Sequence, residues 1–199
     1  YLIQKNTYDI KGNLIEKLYS DINGKIIDSL KSSKYMSFGK SIYEYDENNN
    51  LMISKEIKSD GTIKKIEKYI YNSKNQILNK TREDLLSDKF LKWEYSYNNF
   101  DSLEIIDYYE KPDSLKMKVK IKYDSFLKMI EWNVYNNDGS INTKTKSSYN
   151  KDNKLIKKED YDSEGLSGIS EMDYDSLGRQ IKYSSSVSYT HLTLPTTPY

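Results

Sequence analysis

Aromatic side chains at alternating positions are the residues with the clearest capacity for binding. Along one stretch they are Trp93, Tyr95 and Tyr97, and two further pairs occupy matching places, Tyr43 with Tyr45 and Tyr69 with Tyr71. Rings on one strand face could stack on the rings of a sugar. They could equally form the packing layer of a curled sheet. We favour packing, and carbohydrate stacking is the alternative.

Catalytic chemistry has little support in the sequence. The chain has no cysteine, and its one histidine, His191, lies close to the C-terminus. A nucleophile–base pair and a thiolate or imidazole zinc site both need residues that the rest of the chain lacks. Glycine-rich phosphate loops are absent as well. The sequence therefore predicts no enzyme, no catalytic or metal-binding residue and no cofactor.

One acidic cluster has a spacing close to that of an EF-hand calcium loop. Its members are Asp160, Asp162, Glu164, Gly165 and Glu171. The fifth ligand position holds Glu instead of the usual Asp or Asn, and no helical pattern flanks the cluster. A Glu-Gly pair also fits a turn that recurs along the chain, and we favour that interpretation over calcium binding.

The charge balance argues against a dedicated nucleic-acid surface. The chain has 31 basic and 30 acidic residues, interspersed throughout. A row of lysines at positions 116, 118, 120 and 122 could bind an anionic polymer, but the solvated face of a strand is the favoured interpretation. No apolar run approaches the ~18 residues of a membrane helix. No signal peptide is visible, which means little because the chain starts with Tyr1.

A tyrosine-led repeat organises the chain. Tyr45, Tyr71, Tyr97, Tyr123 and Tyr149 are spaced by 26 residues, and Tyr174 follows after 25. The motif is Y-[DN]-x-x-[GN]-x-[LIM], with its fullest form at Tyr8. An Asp or Asn after the tyrosine starts a turn. The Gly or Asn four residues after the tyrosine, which we call the fourth motif position, tolerates a left-handed backbone. The predicted turn residues are Asp9, Gly12, Asp46, Asn49, Asn72, Asn98, Asp124, Asn150, Asp175 and Gly178.

Leu127 departs from the motif at its fourth position. A branched aliphatic side chain is unfavourable in a left-handed backbone conformation. We therefore expect this one turn to be strained or to have a different shape.

A second turn recurs halfway through each unit. Its residues are Asn23, Gly24, Asp60, Gly61, Asp138, Gly139 and Gly165. Each unit thus has two strands of about equal length and two turns. The complete absence of alanine also disfavours helices. The sequence predicts an all-β protein, an antiparallel β-meander of repeated 26-residue hairpins in a twisted or curled sheet.

The clearest hairpin spans residues 117–135. Lysines alternate with apolar residues up to Tyr123, and a second alternating strand follows a short polar turn. If Tyr123 faces Ile130, the register pairs the apolar residues of the two strands on one face. It pairs Lys122 with Glu131 on the other face.

Both ends of the repeat array depart from its period. Tyr8 and Tyr45 are 37 residues apart, so we expect an extra half-unit, with Tyr35, Gly39 and Ile42 at its turn. Residues 1–183 form the predicted array, and residues 184–199 a non-repeat, unstructured tail. The string from Val187 to the end resembles translated sequencing-adapter sequence; a native Thr/Pro linker is the alternative.

The motif resembles that of the YD-repeat proteins of the rearrangement-hotspot (Rhs) group of bacteria. The similarity covers residues 7–183, and the carriers are Tyr8-Asp9 with Gly12, Tyr45-Asp46 with Leu51, and Tyr174-Asp175 with Gly178-Arg179. It implies a secreted or cell-envelope location and repeats without catalytic residues. Two functions follow: a structural or interaction segment of a longer array, or a carbohydrate- or cell-wall-binding module using the tyrosines. The sequence does not identify the partner; a polysaccharide and another part of the parent protein are the two candidates, and no nucleic acid is expected.

Overall fold

A computed structural model describes residues 2–28 and 39–187. Within these ranges the regular secondary structure consists of β-strands joined by turns. None of the described residues forms a helix long and apolar enough to cross a membrane. The strands are β1 Ile3–Tyr8, β2 Leu14–Ser20, β3 Lys40–Tyr45, β4 Leu51–Ile57, β5 Ile63–Tyr71, β6 Ile77–Asp84, β7 Lys89–Tyr97, β8 Leu103–Lys111, β9 Ser114–Tyr123, β10 Met129–Asn136, β11 Ile141–Tyr149, β12 Leu155–Asp162, β13 Gly165–Tyr174 and β14 Gln180–Val187.

The sheet is an antiparallel meander. In the described ranges the fourteen strands are ordered β1 to β14, each beside its neighbours in the chain. The all-β meander predicted from the repeat is therefore confirmed. The chain divides into two compact units, one of Tyr1–Tyr95 with Asp107–Leu115 and one of Ser96–Ile106 with Lys116–Tyr199.

The tyrosine-led turns share one hydrogen-bond pattern. The residue after the tyrosine donates its backbone N–H to the carbonyl four positions on, at 2.9 Å in all seven described turns. Its side-chain Oδ1 accepts two backbone N–H groups, two and four positions on, at 2.7–3.1 Å. The motif's Asp or Asn thus satisfies donors that the short loop would leave unpaired.

The fourth motif position adopts a left-handed backbone in every described turn. Its φ lies between 59° and 86°, whether the residue is Gly, Asn, Asp or Leu. Leu127 has φ 61° and makes the same turn hydrogen bonds as the others. Of the two expected alternatives, the loop keeps the common shape, and the strain lies in the leucine backbone itself.

The β9–β10 hairpin follows the predicted register except at its turn. Ile121 faces Trp132, Val119 faces Val134 and Lys122 faces Glu131, whose Oε2 lies 3.1 Å from the lysine Nζ. Tyr123 faces Met129 and not Ile130, because a bulge lies between Met129 and Glu131. Similar register shifts next to five other motif tyrosines show that the bulge belongs to the five-residue turn.

The extra half-unit expected before Tyr45 falls mainly on residues 29–38, which lie outside the described residues. Strand β2 pairs directly with β3, with Glu16 facing Ile42. Ile42 therefore lies within a strand, and Tyr35 lies outside the described residues. The extra length belongs to the connection after β2, whose Asp28 accepts hydrogen bonds from the N–H and hydroxyl groups of Ser59.

The predicted end of the array also shifts. Strand β14 continues to Val187, and residues 184–187 pair with β13. The first four residues of the predicted tail thus lie in a strand. Residues 188–199, which include most of the predicted tail, lie outside the described residues.

Few side chains are fully enclosed. In the described ranges Ile121, at 4% exposure, is the one buried hydrophobic residue, and Asn133, at 3%, is the most buried polar one. Most strand positions are half-buried. Ion pairs join neighbouring strands in place of a deep core, including Glu16 with Lys40 at 2.6 Å and Glu44 with Lys55 at 2.7 Å. Stability therefore depends on many small cross-strand contacts.

Leu127→Gly should stabilise the protein, because glycine adopts positive φ without the steric cost paid by leucine. We expect a gain of about 1 kcal/mol in the free energy of unfolding, measured by urea denaturation. The matched control is Asn153→Gly, at φ 60° in the same turn position, where asparagine already tolerates this conformation. A gain at residue 153 as large as that at residue 127 would contradict the explanation.

Candidate functional site

The motif tyrosines form hydrogen bonds across the repeat boundaries. The hydroxyl of Tyr71 donates to the main-chain carbonyl of Leu51, which stands six positions after the preceding motif tyrosine. The same bond, at 2.7–3.0 Å, joins Tyr45 to Leu14, Tyr123 to Leu103, Tyr149 to Met129 and Tyr174 to Leu155. We call this bond the tyrosine lock. It connects each turn to the turn of the next repeat.

Burial at the lock favours the neutral hydroxyl. It raises the pKa of Tyr45, Tyr71 and Tyr123 above the ordinary phenol value. The phenol therefore stays protonated and able to donate at neutral pH. The aromatic body packs against the sheet while its polar end reaches the backbone, a combination that phenylalanine cannot provide.

A second set of bonds links neighbouring turns through amide side chains. Asn13 donates to Asp9 Oδ2 and to Asn49 Oδ1 of the next turn, both at 3.0 Å. Asn50 donates in the same way to Asp46 and to Asn75, at 2.9 Å. These amides hold the pKa of the Asp9 and Asp46 carboxyls below its usual range. The turn edge in the first unit is thus tied together by side chains as well as by strands.

The best-defined aromatic cluster is a stack in the first unit. Tyr69 faces Lys80 across β5–β6, and Lys80 faces Trp93 across β6–β7. The lysine Nζ lies 5.3 Å from the tyrosine ring centre and 5.4 Å from the tryptophan ring centre. The tryptophan ring is also 5.5 Å from that of Tyr108. Lys80 therefore fills the space between two rings that a sugar would need.

Glu67 lies beside this stack and collects several polar groups. Its carboxylate accepts from the hydroxyls of Tyr69, at 3.3 Å, and Ser54, at 3.4 Å. Lys80 Nζ lies 3.5 Å from its other oxygen, and only 16% of the glutamate side chain is exposed. Burial, together with the nearby carboxylate, raises the pKa of Tyr69 to about 12. Within the cluster, the charge of Glu67 is balanced by Lys80, and the hydroxyls of Ser54 and Tyr69 have an acceptor.

The predicted stacking residues divide into two groups. Tyr45 and Tyr71 are lock residues, and burial likewise raises the pKa of Tyr97, the motif tyrosine of β7. Tyr43 faces Ser54, and Ser54 faces Glu67, which lies two positions before Tyr69 on β5. Tyr95 follows Trp93 two positions along β7. Of the predicted aromatic residues, Tyr45 and Tyr71 thus use their hydroxyls in the lock, whereas the rings of Tyr69 and Trp93 contact Lys80.

Lysine ammonium groups lie over aromatic rings elsewhere in both units. The distances from Nζ to ring centre are 4.6–5.6 Å for Lys17 with Tyr19, Lys92 with Tyr109, Lys120 with Tyr135, Lys146 with Tyr161 and Lys154 with Tyr174. Lys120 belongs to the lysine row of β9, and Lys122 of the same row pairs with Glu131. At these two positions the row takes part in cross-strand packing.

The residues of the calcium-loop pattern lie in a hairpin. Asp160 and Asp162 are on β12, and Glu171 is on β13 opposite Lys157. Asp160 binds the Thr145 hydroxyl at 2.7 Å and the Lys158 ammonium at 2.8 Å. Within the described residues, no group of three or more acidic or imidazole side chains is placed to hold a metal ion. Glu164 and Gly165 lie where β12 connects to β13, at the place where the recurring turn pattern predicts a turn.

Sequence reasoning missed the roles of Glu67, Ser54 and Lys80. The signal that could have found them is the register, because the repeat spacing together with a five-residue turn places position 80 opposite both 69 and 93. Asn133 was missed too. It lies between Lys120 and Lys144 on neighbouring strands and donates to Glu131 at 3.2 Å.

Comparison with known proteins gives structural neighbours alone. No protein-family model and no curated protein sequence matches the chain. The crystal structure of TcdB2-TccC3 is 12% identical with a TM-score of 0.47, over 91% of this chain and 11% of that one. A porin-like protein from Bacteroides uniformis ATCC 8492 is 13% identical with a TM-score of 0.45, over 92% and 82%. At these values the likeness carries no conclusion about function.

Tyr71→Phe should destabilise the protein by about 1 kcal/mol, because it removes the hydroxyl that donates to Leu51. The measurement is the free energy of unfolding in urea. Tyr8→Phe is the matched control. Its side chain is 56% exposed, and in the described residues its hydroxyl accepts one bond, from Asn6. We expect a change below about 0.5 kcal/mol there, and equal losses in the two variants would argue against the lock.

Proposed function

We propose that the chain is a non-catalytic structural and interaction segment, a β-repeat scaffold within a bacterial secreted or cell-envelope protein. The observation that supports this most directly is the tyrosine lock. At five described repeat boundaries the residue that defines the motif binds the preceding repeat. A motif whose polar end is used inside the sheet is suited to extending an array.

The aromatic cluster supports the same role over the carbohydrate-binding alternative. A sugar-binding platform needs an open ring face, and Trp93 has Lys80 and Tyr108 against its ring. The nearby carboxylate of Glu67 already contacts Ser54, Tyr69 and Lys80. We propose that the partner is another part of the same parent protein, and the YD-repeat resemblance supports a location outside the cytoplasm.

Deletion of a whole repeat tests the scaffold function. Removal of residues 46–71 joins Tyr45 to Asn72 and preserves the motif and the strand direction downstream. Removal of 59–71 alone joins β4 to the next tyrosine-led turn and reverses that direction. We expect cooperative unfolding with a modest loss of thermal stability for the first deletion, and a much larger loss for the second. Equal losses would contradict an array of interchangeable units.

Fluorescence titration tests the carbohydrate alternative. Trp132→Phe leaves Trp93 as the sole tryptophan, because the chain has two. We expect its emission to be unchanged by soluble cell-wall polysaccharides, since Lys80 and Tyr108 already lie against the ring. Saturable quenching that is absent from a Trp93→Ala variant folded by circular dichroism would instead favour a binding module.

A further inference from the structure

The register at the repeat boundaries follows one rule. The residue three positions before each motif tyrosine faces the residue eight positions after the preceding one. The pairs are Glu16 with Ile42, Ile53 with Lys68, Asn79 with Glu94, Glu131 with Lys146, and Lys157 with Glu171. Where both members are charged, the charges are opposite. This is the case for two of the five pairs, Glu131 with Lys146 and Lys157 with Glu171. We call this position the boundary pair, and like charges there would be unfavourable.

The two outer strands of the described sheet carry one half of a boundary each. On β14, Gln180 stands six positions after Tyr174, where its carbonyl corresponds to the lock acceptor, and Lys182 stands at the boundary-pair position. On β1, Tyr8 is the motif tyrosine, and Lys5 stands three positions before it. Nearly every residue of both strands is exposed. Each strand thus offers the groups that the opposite half of a boundary would use.

We propose that the outer edge of β14 is a docking edge for a tyrosine-led strand that carries a carboxylate three residues before its tyrosine. Lys5 at that position then keeps copies of this chain from adding to one another. The inference deepens the proposed scaffold function and rests on it, because it specifies the chemistry of the next strand.

The charge three residues before the tyrosine distinguishes a strand with a carboxylate there from β1 of a second copy, which has Lys5. A second copy would place its tyrosine in the lock position and the correct strand direction next to β14. The same register would bring its Lys5 opposite Lys182, and like charges directly opposite each other destabilise a strand pair. Lys182 already lies 3.7 Å from Asp173 of β13. A carboxylate on the incoming strand would extend this pairing across the new boundary, whereas an ammonium would oppose it. Lysine on an edge strand is also a common barrier to uncontrolled strand addition.

Disulfide trapping measures this association in the 199-residue chain, which has no cysteine of its own. The same register continues two residues further along each strand. The residue five positions before a motif tyrosine faces the residue ten positions after the preceding one, as in Lys55 with Ile66 and Glu159 with Ile169. Ile3 of one copy should therefore face Ser184 of another. Chains carrying Ile3→Cys are mixed with chains carrying Ser184→Cys under mild oxidation, and the yield of the mixed dimer is followed against protein concentration.

The charge swaps are made on one partner at a time. Lys5→Glu on the Ile3→Cys chain, or Lys182→Glu on the Ser184→Cys chain, should raise the association constant roughly fivefold. Both swaps together place two carboxylates opposite each other and should return the yield to its original level. Circular dichroism checks that each variant is folded.

Yields that do not respond to the swaps, or that rise further when both are present, overturn the docking edge. A rise in dimers between two Ile3→Cys chains would also overturn it, since these report β1 against β1. The scaffold function is tested separately, because its repeat deletions do not involve the outer strands. Failure of the charge cycle with normal behaviour of the deletions would reject the docking edge alone.

Discussion

The hydrogen bond from a tyrosine hydroxyl to a main-chain carbonyl is the interaction on which this sheet depends. It recurs at five described boundaries with nearly constant length. A sheet with so few enclosed side chains gains little from a hydrophobic core. Its strands are positioned instead by bonds that fix each turn against the previous one. Each contributes modestly, but the repeat supplies one at every boundary.

The aromatic and charged residues complete the same design. Lysines cover ring faces, and their ammonium groups reach carboxylates on neighbouring strands, as Lys80 does with Tyr69, Trp93 and Glu67. Apolar area is covered by the stems of charged side chains where a second layer would otherwise be needed. The many lysines and glutamates of the chain therefore also serve to cover the rings of its tyrosines.

Much of the fold could be predicted because the turns are local. An Asp or Asn after the tyrosine, and a residue tolerant of positive φ three positions later, act through the backbone within five residues. The pairing of Lys122 with Glu131 followed from alternation alone. The bulge beside Met129 was missed because it adds one residue without changing the spacing of the motif. The roles of Lys80 and Glu67 needed the register of three strands at once, which alternation along one strand does not provide.

The connection between β2 and β3 has a wider consequence. It is longer than the corresponding turns, yet Glu16 and Ile42 still face each other in the ordinary register. Within each compact unit the tyrosine-led turns lie along one margin of the sheet, and they set the alignment of the strands. The opposite margin is therefore free to accept insertions of varied length and composition. An array built in this way can diversify one rim during evolution, acquiring new loops there, while the ribbon beneath is preserved.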